Sequence, residues 1–382
     1  MKVGKMMFGF FKKKEKEPKK VLAKEEKALS PEATEKIQSE ITQLKQEIST
    51  TQDRHKLAEL YEQVGLKFSE LYENDQAIQY LEKSLENKQT IGDGYTTLKE
   101  VTKTAEELNF TVGAFNTHNL EMLPAMLGAA KEMGSPIIIQ TSVDTAKYIG
   151  MHVLVNVMTA IAEEEMVDAV LHLDHARDFD DIKEAIDSGY TSVMYDGSHL
   201  PFKENILKTK AVVEYAHAHG VSVEGELGTI GGTEEGIHVA ENDKVYTRPE
   251  DAVKFVEATG VDALAIAIGT NHGQFKSKTE VNIPLLKEID AVVDVPLVIH
   301  GGTGVKEEDY PELINNGIRK FNVGTELLVN WTKVAKETFS ETEINKSLRH
   351  NVIPANEAVK EIVKHKIGLF MNLESPINLG NK

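Results

Sequence analysis

The sequence predicts an α/β protein built around a (β/α)8 TIM barrel, with a small N-terminal α-helical extension. Beyond residue 95, eight short apolar segments alternate with stretches of helical periodicity. Each segment is almost continuously apolar, as expected of a parallel strand covered on both faces. The predicted barrel occupies residues 96–382, close to the roughly 250 residues typical of the fold. The predicted strands are residues 110–116, 136–142, 169–175, 192–198, 222–228, 263–272, 296–302 and 320–325.

Composition narrows the possible functions of the chain. Of its 382 residues, 41% are hydrophobic and 27% are charged, which is enough apolar material for a large core. The net charge of −18 argues against a nucleic-acid partner. The absence of cysteine excludes disulfide scaffolds, thiolate zinc sites and cysteine nucleophiles. No run of about 18 apolar residues occurs, so we expect no membrane span and a cytoplasmic location.

The first 95 residues differ from the rest. Residues 1–28 contain ten Lys and four Glu and are predicted to form a basic disordered tail, with contact to an anionic membrane surface as the alternative. Residues 29–95 have helical periodicity, beginning with Ser30–Pro31 as a typical helix start, and resemble one tetratricopeptide unit. One such unit cannot bury its own apolar face. We therefore expect these helices to contact the barrel, another subunit or a partner protein.

Polar residues are concentrated at the carboxyl ends of the predicted strands. Because the strands of such a barrel are parallel, these ends meet on one face, where barrel enzymes assemble their active sites. Three of the 13 histidines, His175, His272 and His300, lie at strand ends. Three imidazoles can bind a catalytic zinc ion and leave one coordination position open. A single buried histidine is more often a core residue, so the prediction depends on all three together.

Carboxylates lie at the same strand ends, namely Asp174, Asp196 and Glu226. A buried carboxylate there needs a metal or a partner. Asp174 directly precedes His175, so the alternation of a strand should point its side chain the other way unless the strand end bends. We therefore interpret Asp174 as an acid or base rather than a ligand. The alternative is a hydrogen-bond acceptor that orients a ligand.

Glycine-rich turns follow the last two strands, as Gly301–Gly302–Thr303 and residues 322–325. Barrels commonly bind phosphate with these two loops, since glycine lets the backbone approach the ligand closely. Lys276, after the sixth strand, could supply a positive charge. Tight turns alone also explain the glycines, so the interpretation rests on their combination with the metal-binding residues.

Seven motifs in order resemble the class II, metal-dependent fructose-bisphosphate and tagatose-bisphosphate aldolases. They cover about residues 97–370 and read GAFNTHNLE, LHLDH, SVMYDGSHLPFKENI, VSVEGELGTIGG, GTNHG, PLVIHGGTG and KFNVGTE. The resemblance implies an aldehyde-lyase that reversibly cleaves a ketose 1,6-bisphosphate to dihydroxyacetone phosphate and glyceraldehyde 3-phosphate. It also implies a Zn²⁺ cofactor, with a monovalent cation as a further candidate, and a homodimer or tetramer.

The resemblance assigns roles to individual residues. It places the catalytic zinc on His175, His272 and His300, and a second or alternative metal location at Asp196 and Glu226. Asp174 and Glu234 match the two groups that exchange protons, at the C4 oxygen and at the dihydroxyacetone phosphate carbon respectively. Further positions match substrate and phosphate contacts: Asn116, Ser142, Gly273, Lys276, Gly301, Gly302, Thr303, Asn322, Val323, Gly324, Thr325 and Arg349.

Departures from the family pattern leave the substrate open. Gly324 stands where fructose-bisphosphate enzymes often have Asp or Asn and tagatose-bisphosphate enzymes often have Ala. Arg349 matches only the arginine of the family's Asp-Pro-Arg segment, because Leu348 precedes it here. No strand-end lysine is placed for Schiff-base chemistry. Two alternatives to the ketose-bisphosphate aldolase remain: an aldolase for another phosphorylated ketose, and a non-catalytic sugar-phosphate-binding scaffold that uses the N-terminal helices.

Overall fold

The computed structural model describes residues 30–50, 60, 61, 63–68, 71, 76, 94–229, 231–234, 237–239, 245–272, 280–302, 304–343 and 347–371. The candidate residues Gly273, Lys276 and Thr303 lie outside this part of the chain, as does the predicted tail of residues 1–28. For Glu234 and His272 only the backbone is described.

Eight parallel strands form a closed barrel, so the predicted TIM barrel is confirmed. Every predicted segment contains one of its strands. The barrel strands are β1 Val112–Asn116, β2 Ile137–Ser142, β3 Ala169–Ala176, β4 Ser192–Tyr195, β5 Ser222–Leu227, β8 Ala263–Ile266, β10 Leu297–Ile299 and β11 Ile318–Val323. Neighbours around the barrel follow this order, and β11 closes on β1.

A second, three-stranded sheet lies outside the barrel, and here the prediction of one strand over residues 263–272 is wrong. β8 ends at Ile266, and Asn271–His272 form a separate strand, β9. Gly269, with φ +111°, turns the chain between them. β9 pairs with β6, Gly231–Glu234, which pairs with β7, Ile237–Val239.

Helices connect the strands, and their ends follow local sequence signals. The helix before β1 begins with a capping box, in which Thr97 Oγ1 accepts from the Glu100 amide and the Glu100 carboxylate accepts from the Thr97 amide. The helices are α1 Pro31–Thr50, α2 Leu98–Leu108, α3 Leu123–Met133, α4 Val143–Ile149, α5 Met151–Glu165, α6 Phe179–Ser188, α7 Phe202–Ala218, α8 Pro249–Thr259, α9 Ile283–Asp290, α10 Tyr310–Ile314, α11 Thr325–Glu341 and α12 Arg349–Phe370, with 3₁₀ turns at Leu120–Met122 and Glu307–Asp309.

The N-terminal helix α1 starts as the sequence predicts, because Ser30 Oγ accepts a hydrogen bond from the Ala33 amide at 3.2 Å. Ile37 and Ile41 of α1 are buried in one cluster with Val64 and Phe68. Most residues of the predicted tetratricopeptide-like unit lie outside the described part, so that unit and the domain boundaries remain predictions. Among the described helices, none is both long and apolar enough to cross a membrane.

The amino-terminal end of the barrel interior is apolar. Helix α2 closes this end and packs its buried residues against side chains that point inward from the strands. Each fully buried aliphatic side chain of this kind contributes about 1.5–3 kcal/mol to folding. We call this region the lower half of the interior, formed by Leu98, Val101, Ala105, Phe110, Val112, Ala114, Ile138, Val170, Ala263, Ala265 and Val298.

Candidate active site

Polar side chains fill the upper half of the interior, toward the carboxyl ends of the strands. Alternation along each strand directs every second residue inward. Directly above the apolar lower half, the inward side chains form a polar layer of four fully buried residues: His172, Ser192, Glu224 and Lys320. The upper residues form what we call the mouth: Asn116, Asp174, His175, Asp196, Glu226, His300 and Asn322.

Asp174 is held at the mouth by three side-chain amides. Its Oδ2 accepts from Gln140 Nε2 at 3.1 Å and from Asn116 Nδ2 at 3.2 Å, and its Oδ1 accepts from Asn322 Nδ2 at 3.4 Å. Gln140 also donates to Asn116 Oδ1 at 2.8 Å, which fixes the two amides relative to each other. The carboxylate is therefore fixed in orientation by neutral donors from three different strands.

His175 and Asp174 reach the mouth together, because the end of β3 bends. His175 has φ +48°, and the pairing of β3 with β4 shifts register between Leu173 and Ala176. His175 Nε2 lies 3.9 Å from Asp174 Oδ1. The expectation from strict alternation that these side chains point apart is wrong at this position. A left-handed residue other than glycine costs about 1–3 kcal/mol and is concentrated at functional sites.

His300 faces His175 across the mouth, with its Nδ1 3.0 Å from His175 Nε2. The other nitrogen of His300 is 2.7 Å from Glu224 Oε1. Because a carboxylate only accepts, this contact assigns the proton of His300 to Nε2 and leaves the Nδ1 lone pair toward His175. Burial lowers the pKa of His300, which favours the neutral imidazole that binds metals.

Asp174, His175 and His300 fit a metal ion by the chemistry and spacing of their donors. Their ligand atoms lie within 4.8 Å of one another, and all three residues are buried. Imidazole nitrogen and carboxylate oxygen are donors that zinc prefers, and two nitrogens on one tetrahedral zinc at about 2.0–2.1 Å lie about 3.4 Å apart. His272, the third predicted histidine ligand, lies on β9, and its backbone pairs with Gly232 two residues before Glu234.

The second group of predicted ligands surrounds the other nitrogen of His175. His175 Nδ1 lies 3.5 Å from Asp196 Oδ2 and 3.8 Å from Glu226 Oε2. Asp196 also accepts hydrogen bonds from Arg177 and Ser198. Burial alone would raise the pKa of Asp196, but hydrogen bonds from His175 and Ser198 and the charge of Arg177 hold it well below its ordinary value.

A fully buried ion pair lies beneath the mouth. Lys320 Nζ is 2.9 Å from Glu224 Oε2 and donates to Asn322 Oδ1 at 2.7 Å. Burial would raise the pKa of Glu224, but the charge of Lys320 and the hydrogen bond from His300 keep it well below its usual range. The pair connects His300 to Asn322, and through Asn322 to Asp174.

Gln140, Glu224 and Lys320 were not selected from the sequence. The sequence pattern that could have identified them is a polar or charged residue within an almost continuously apolar strand, an even number of positions from a predicted site residue. Glu224 lies two residues before Glu226, and Lys320 two before Asn322. Even spacing along a strand places both residues on the same face.

Other predicted contact residues occupy structural positions. Ser142 caps α4, where its Oγ accepts from the Thr145 amide at 3.2 Å. Gly301 and Gly302 follow β10, and a Cβ at Gly302 would overlap the Phe321 ring. Arg349 is exposed at the start of α12, and among the described residues no hydrogen bond or ion pair joins it to the mouth.

Gly324 lies between Val323, which ends β11, and Thr325, which begins α11. A Cβ at Gly324 would lie 2.7 Å from Asn116 Oδ1. Asn116 is one of the amides that donate to Asp174. The missing side chain therefore leaves room for the amide that orients the carboxylate.

Comparison with known proteins identifies the family. The family model described as fructose-bisphosphate aldolase class-II matches residues 96–374. The chain belongs to the class II fructose-bisphosphate aldolase family. It is an aldolase, and hence a lyase. The fructose-bisphosphate aldolase of Staphylococcus aureus strain Mu50 is 40% identical over 276 residues, which cover 72% of this chain and 96% of that protein.

Solved structures of similar proteins have the same barrel. The YdjI aldolase from Escherichia coli K12 is 32% identical, with a TM-score of 0.64, covering 75% of this aldolase and 100% of that chain. The fructose-bisphosphate aldolase from Campylobacter jejuni, at 22% identity and a TM-score of 0.63, covers 73% of this chain and 96% of its own and shows the shared fold. Class II aldolases generally depend on a metal, and the described residues contain two groups of donors that could hold one, Asp174–His175–His300 and His175–Asp196–Glu226.

Proposed function

We propose that this aldolase catalyses the zinc-dependent, reversible cleavage of fructose 1,6-bisphosphate or tagatose 1,6-bisphosphate to dihydroxyacetone phosphate and glyceraldehyde 3-phosphate. The observation that carries the proposal is the carboxylate of Asp174, held by three amides beside the facing nitrogens of His175 and His300. The name of the Staphylococcus aureus relative supports a fructose bisphosphate as substrate.

His175, His300 and His272 are the residues that would hold the zinc ion. When bound, the ion supplies Lewis acidity that stabilises negative charge on the substrate oxygens. In cleavage, a carboxylate oxygen of Asp174 accepts the proton of the C4 hydroxyl, and in condensation it returns that proton. Asn116, Gln140 and Asn322 keep the carboxylate oriented for this transfer without themselves exchanging protons.

Glu234 is the proposed second proton carrier, acting at the carbon of dihydroxyacetone phosphate. It ends β6, which pairs with β9 through Gly232 and His272. Backbone hydrogen bonding thus ties the strand of the proposed base to the strand of a proposed zinc ligand. This arrangement supports a shared site for both groups.

The phosphates would bind at the loops after β10 and β11. Backbone amides at the start of α11, a 17-residue helix, favour an anion there. The contacts proposed from the resemblance are Ser142, Gly273, Lys276, Gly301, Gly302, Thr303, Val323, Gly324, Thr325 and Arg349. A monovalent cation as a further cofactor and a homodimer or tetramer belong to the same proposal.

The test is to measure cleavage of both sugars side by side, before chelation, after chelation and after zinc is added back. We expect cleavage that chelation abolishes and zinc restores. Comparing the cleavage rate in potassium buffer with that in tetramethylammonium buffer tests for the monovalent cation. The fructose-to-tagatose rate ratio reports which sugar Gly324 permits. Folded, zinc-loaded protein that cleaves neither sugar would contradict the proposal. In that case, turnover of another phosphorylated ketose would support the second candidate, which the absence of a side chain at Gly324 favours.

The N-terminal extension lies outside the family match, which begins at residue 96. We propose that it is dispensable for chemistry, because every proposed site residue lies beyond β1 or at its end. A chain beginning at Gly94 should retain the kcat and KM of the full chain. A folded, metal-loaded truncation without turnover would refute this.

A further inference from the structure

His175, Asp196 and Glu226, which we call the Asp196 group, have side chains that could bind a second divalent ion. The hydrogen bonds that Asp196 already accepts argue against an ion there. Arg177 Nε and Nη2 both donate to Asp196 Oδ2, at 2.9 and 2.6 Å. The backbone amide and Oγ of Ser198 both donate to Asp196 Oδ1, at 3.2 and 2.6 Å. A carboxylate offers about four acceptor sites, and these four donors already engage both oxygens of Asp196.

A divalent ion at this location would have to remove these donors. Zinc binds a carboxylate oxygen at about 2.0–2.2 Å, where the Arg177 nitrogens already lie in hydrogen-bond contact. A divalent ion beside the guanidinium would also be repelled by it. An arginine side chain is a permanent cation in proteins, so this repulsion would always be present.

Arg177 lies just after the end of β3, the strand that carries His175. It follows β3 by one residue and His175 by two, and its side chain is 29% exposed whereas that of Asp196 is 4% exposed. The guanidinium therefore covers Asp196 from the solvent side. His175 Nδ1 faces Asp196 Oδ2 from within the barrel, at 3.5 Å.

We infer that Arg177 takes the place of a second cation, so that this chain binds one divalent ion per subunit. Asp196 then acts as a positioning residue: its carboxylate, 3.5 Å from His175 Nδ1, attracts a proton to that nitrogen, so that His175 Nε2 faces His300. The inference rests on the proposed zinc function, in which His175, His300 and His272 would hold the single ion.

The test is to count zinc ions by equilibrium dialysis and elemental analysis of the full chain at saturating zinc. Wild type should bind one ion, and Glu226→Gln should also bind one. Arg177→Met, which removes the guanidinium and leaves a side chain of similar length, should bind two. Arg177→Met combined with Asp196→Asn should return to one, and Arg248→Met, an exposed arginine on the approach to α8, should remain at one.

The outcomes separate the two proposals. Two ions on wild type, one of them lost in Glu226→Gln, would overturn the inference while leaving zinc-dependent chemistry intact. One ion on a folded Arg177→Met chain at saturating zinc would also overturn it. If Arg177→Met fails to fold, the wild-type and Glu226→Gln counts still decide. No ion on wild type would refute the zinc proposal itself.

Discussion

The lower and upper halves of the barrel interior follow the same alternation of side chains but have opposite chemistry. In the lower half, Leu98 of α2 is buried in one apolar cluster with Val112 and Val170, and this burial stabilises the fold. In the upper half, Glu224 and Lys320 are equally buried but charged. Removing an ion from water costs several kcal/mol, so a buried pair is weak evidence for stability. The comparison indicates that the polar layer orients the mouth, whereas the lower half stabilises the barrel.

The largest effect should come from the carboxylate that the upper half orients. Asp174→Asn keeps the size of the side chain but removes its ability to accept a proton. General acid–base catalysis contributes about 10²–10⁴-fold, so we expect kcat for cleavage to fall about 1000-fold. Steady-state cleavage assays, run with zinc content measured on the same sample, check this. Retention of more than a tenth of wild-type kcat would show that Asp174 is not the base.

The buried ion pair gives the sharpest contrast between the halves. Glu224→Gln leaves the charge of Lys320 unpaired and should cost about 3–5 kcal/mol of unfolding free energy. It also removes the carboxylate that orients His300, so zinc affinity should fall about 10–100-fold. Denaturant unfolding and a competitive zinc titration measure the two effects.

Leu98→Ala in the lower half is the matched control. It should cost a similar 2–5 kcal/mol of unfolding free energy through its cavity. Its zinc affinity should equal that of wild type, because Leu98 belongs to the apolar cluster of the lower half, which includes no mouth residue. Equal losses of zinc affinity in Leu98→Ala and Glu224→Gln would mean that the polar layer acts only through stability.

A smaller effect is expected at Gly324. Gly324→Ala puts a methyl group 2.7 Å from Asn116 Oδ1, so the amide must move away from Asp174. We expect kcat to fall about 10-fold, equivalent to about 1.4 kcal/mol. In an Asn116→Ala background the same substitution should have little further effect, because the conflicting amide is gone. Additive losses in the double variant would exclude this explanation.

A pH dependence of stability is expected from His172. Burial, with the nearby charge of Lys320, lowers the pKa of His172 from 6.5 to about 3. Below pH 6.5 the unfolded chain binds a proton that the folded chain does not, so stability falls as the pH falls from 6.5 toward 3. One proton gives at most about 1.4 kcal/mol per pH unit.

His172→Gln should flatten this slope in metal-free protein. Unfolding free energies measured from pH 7.5 to 4.5 check it, and the two slopes should coincide above pH 7. Parallel curves across the acidic range would mean that His172 takes up its proton in the folded chain.

The barrel could be predicted from sequence because each strand is covered on both faces and therefore continuously apolar. The same rule failed at Asn271–His272, where a turn at Gly269 ends one strand and starts another outside the barrel. Periodicity carries no information on such a break, because β9 has only two residues and therefore no repeat of its own.

The candidate site was predictable as a set of residues but not as a geometry. Strand-end position predicted Asp174 and His300 near each other. The bend that brings Asp174 and His175 to the same side depends on one left-handed residue, which pattern cannot show. The Glu224–Lys320 pair depends on register between distant strands.

Asp174 is proposed to transfer the C4 hydroxyl proton and to have no part in the proton transfer at the dihydroxyacetone phosphate carbon. Exchange of deuterium from solvent into dihydroxyacetone phosphate by zinc-loaded Asp174→Asn separates these two steps. We expect exchange to continue near the wild-type rate while cleavage is about 1000-fold slower, and we expect Glu234→Gln to lose exchange. Loss of exchange in Asp174→Asn with its zinc retained would show that Asp174 also acts at the carbon.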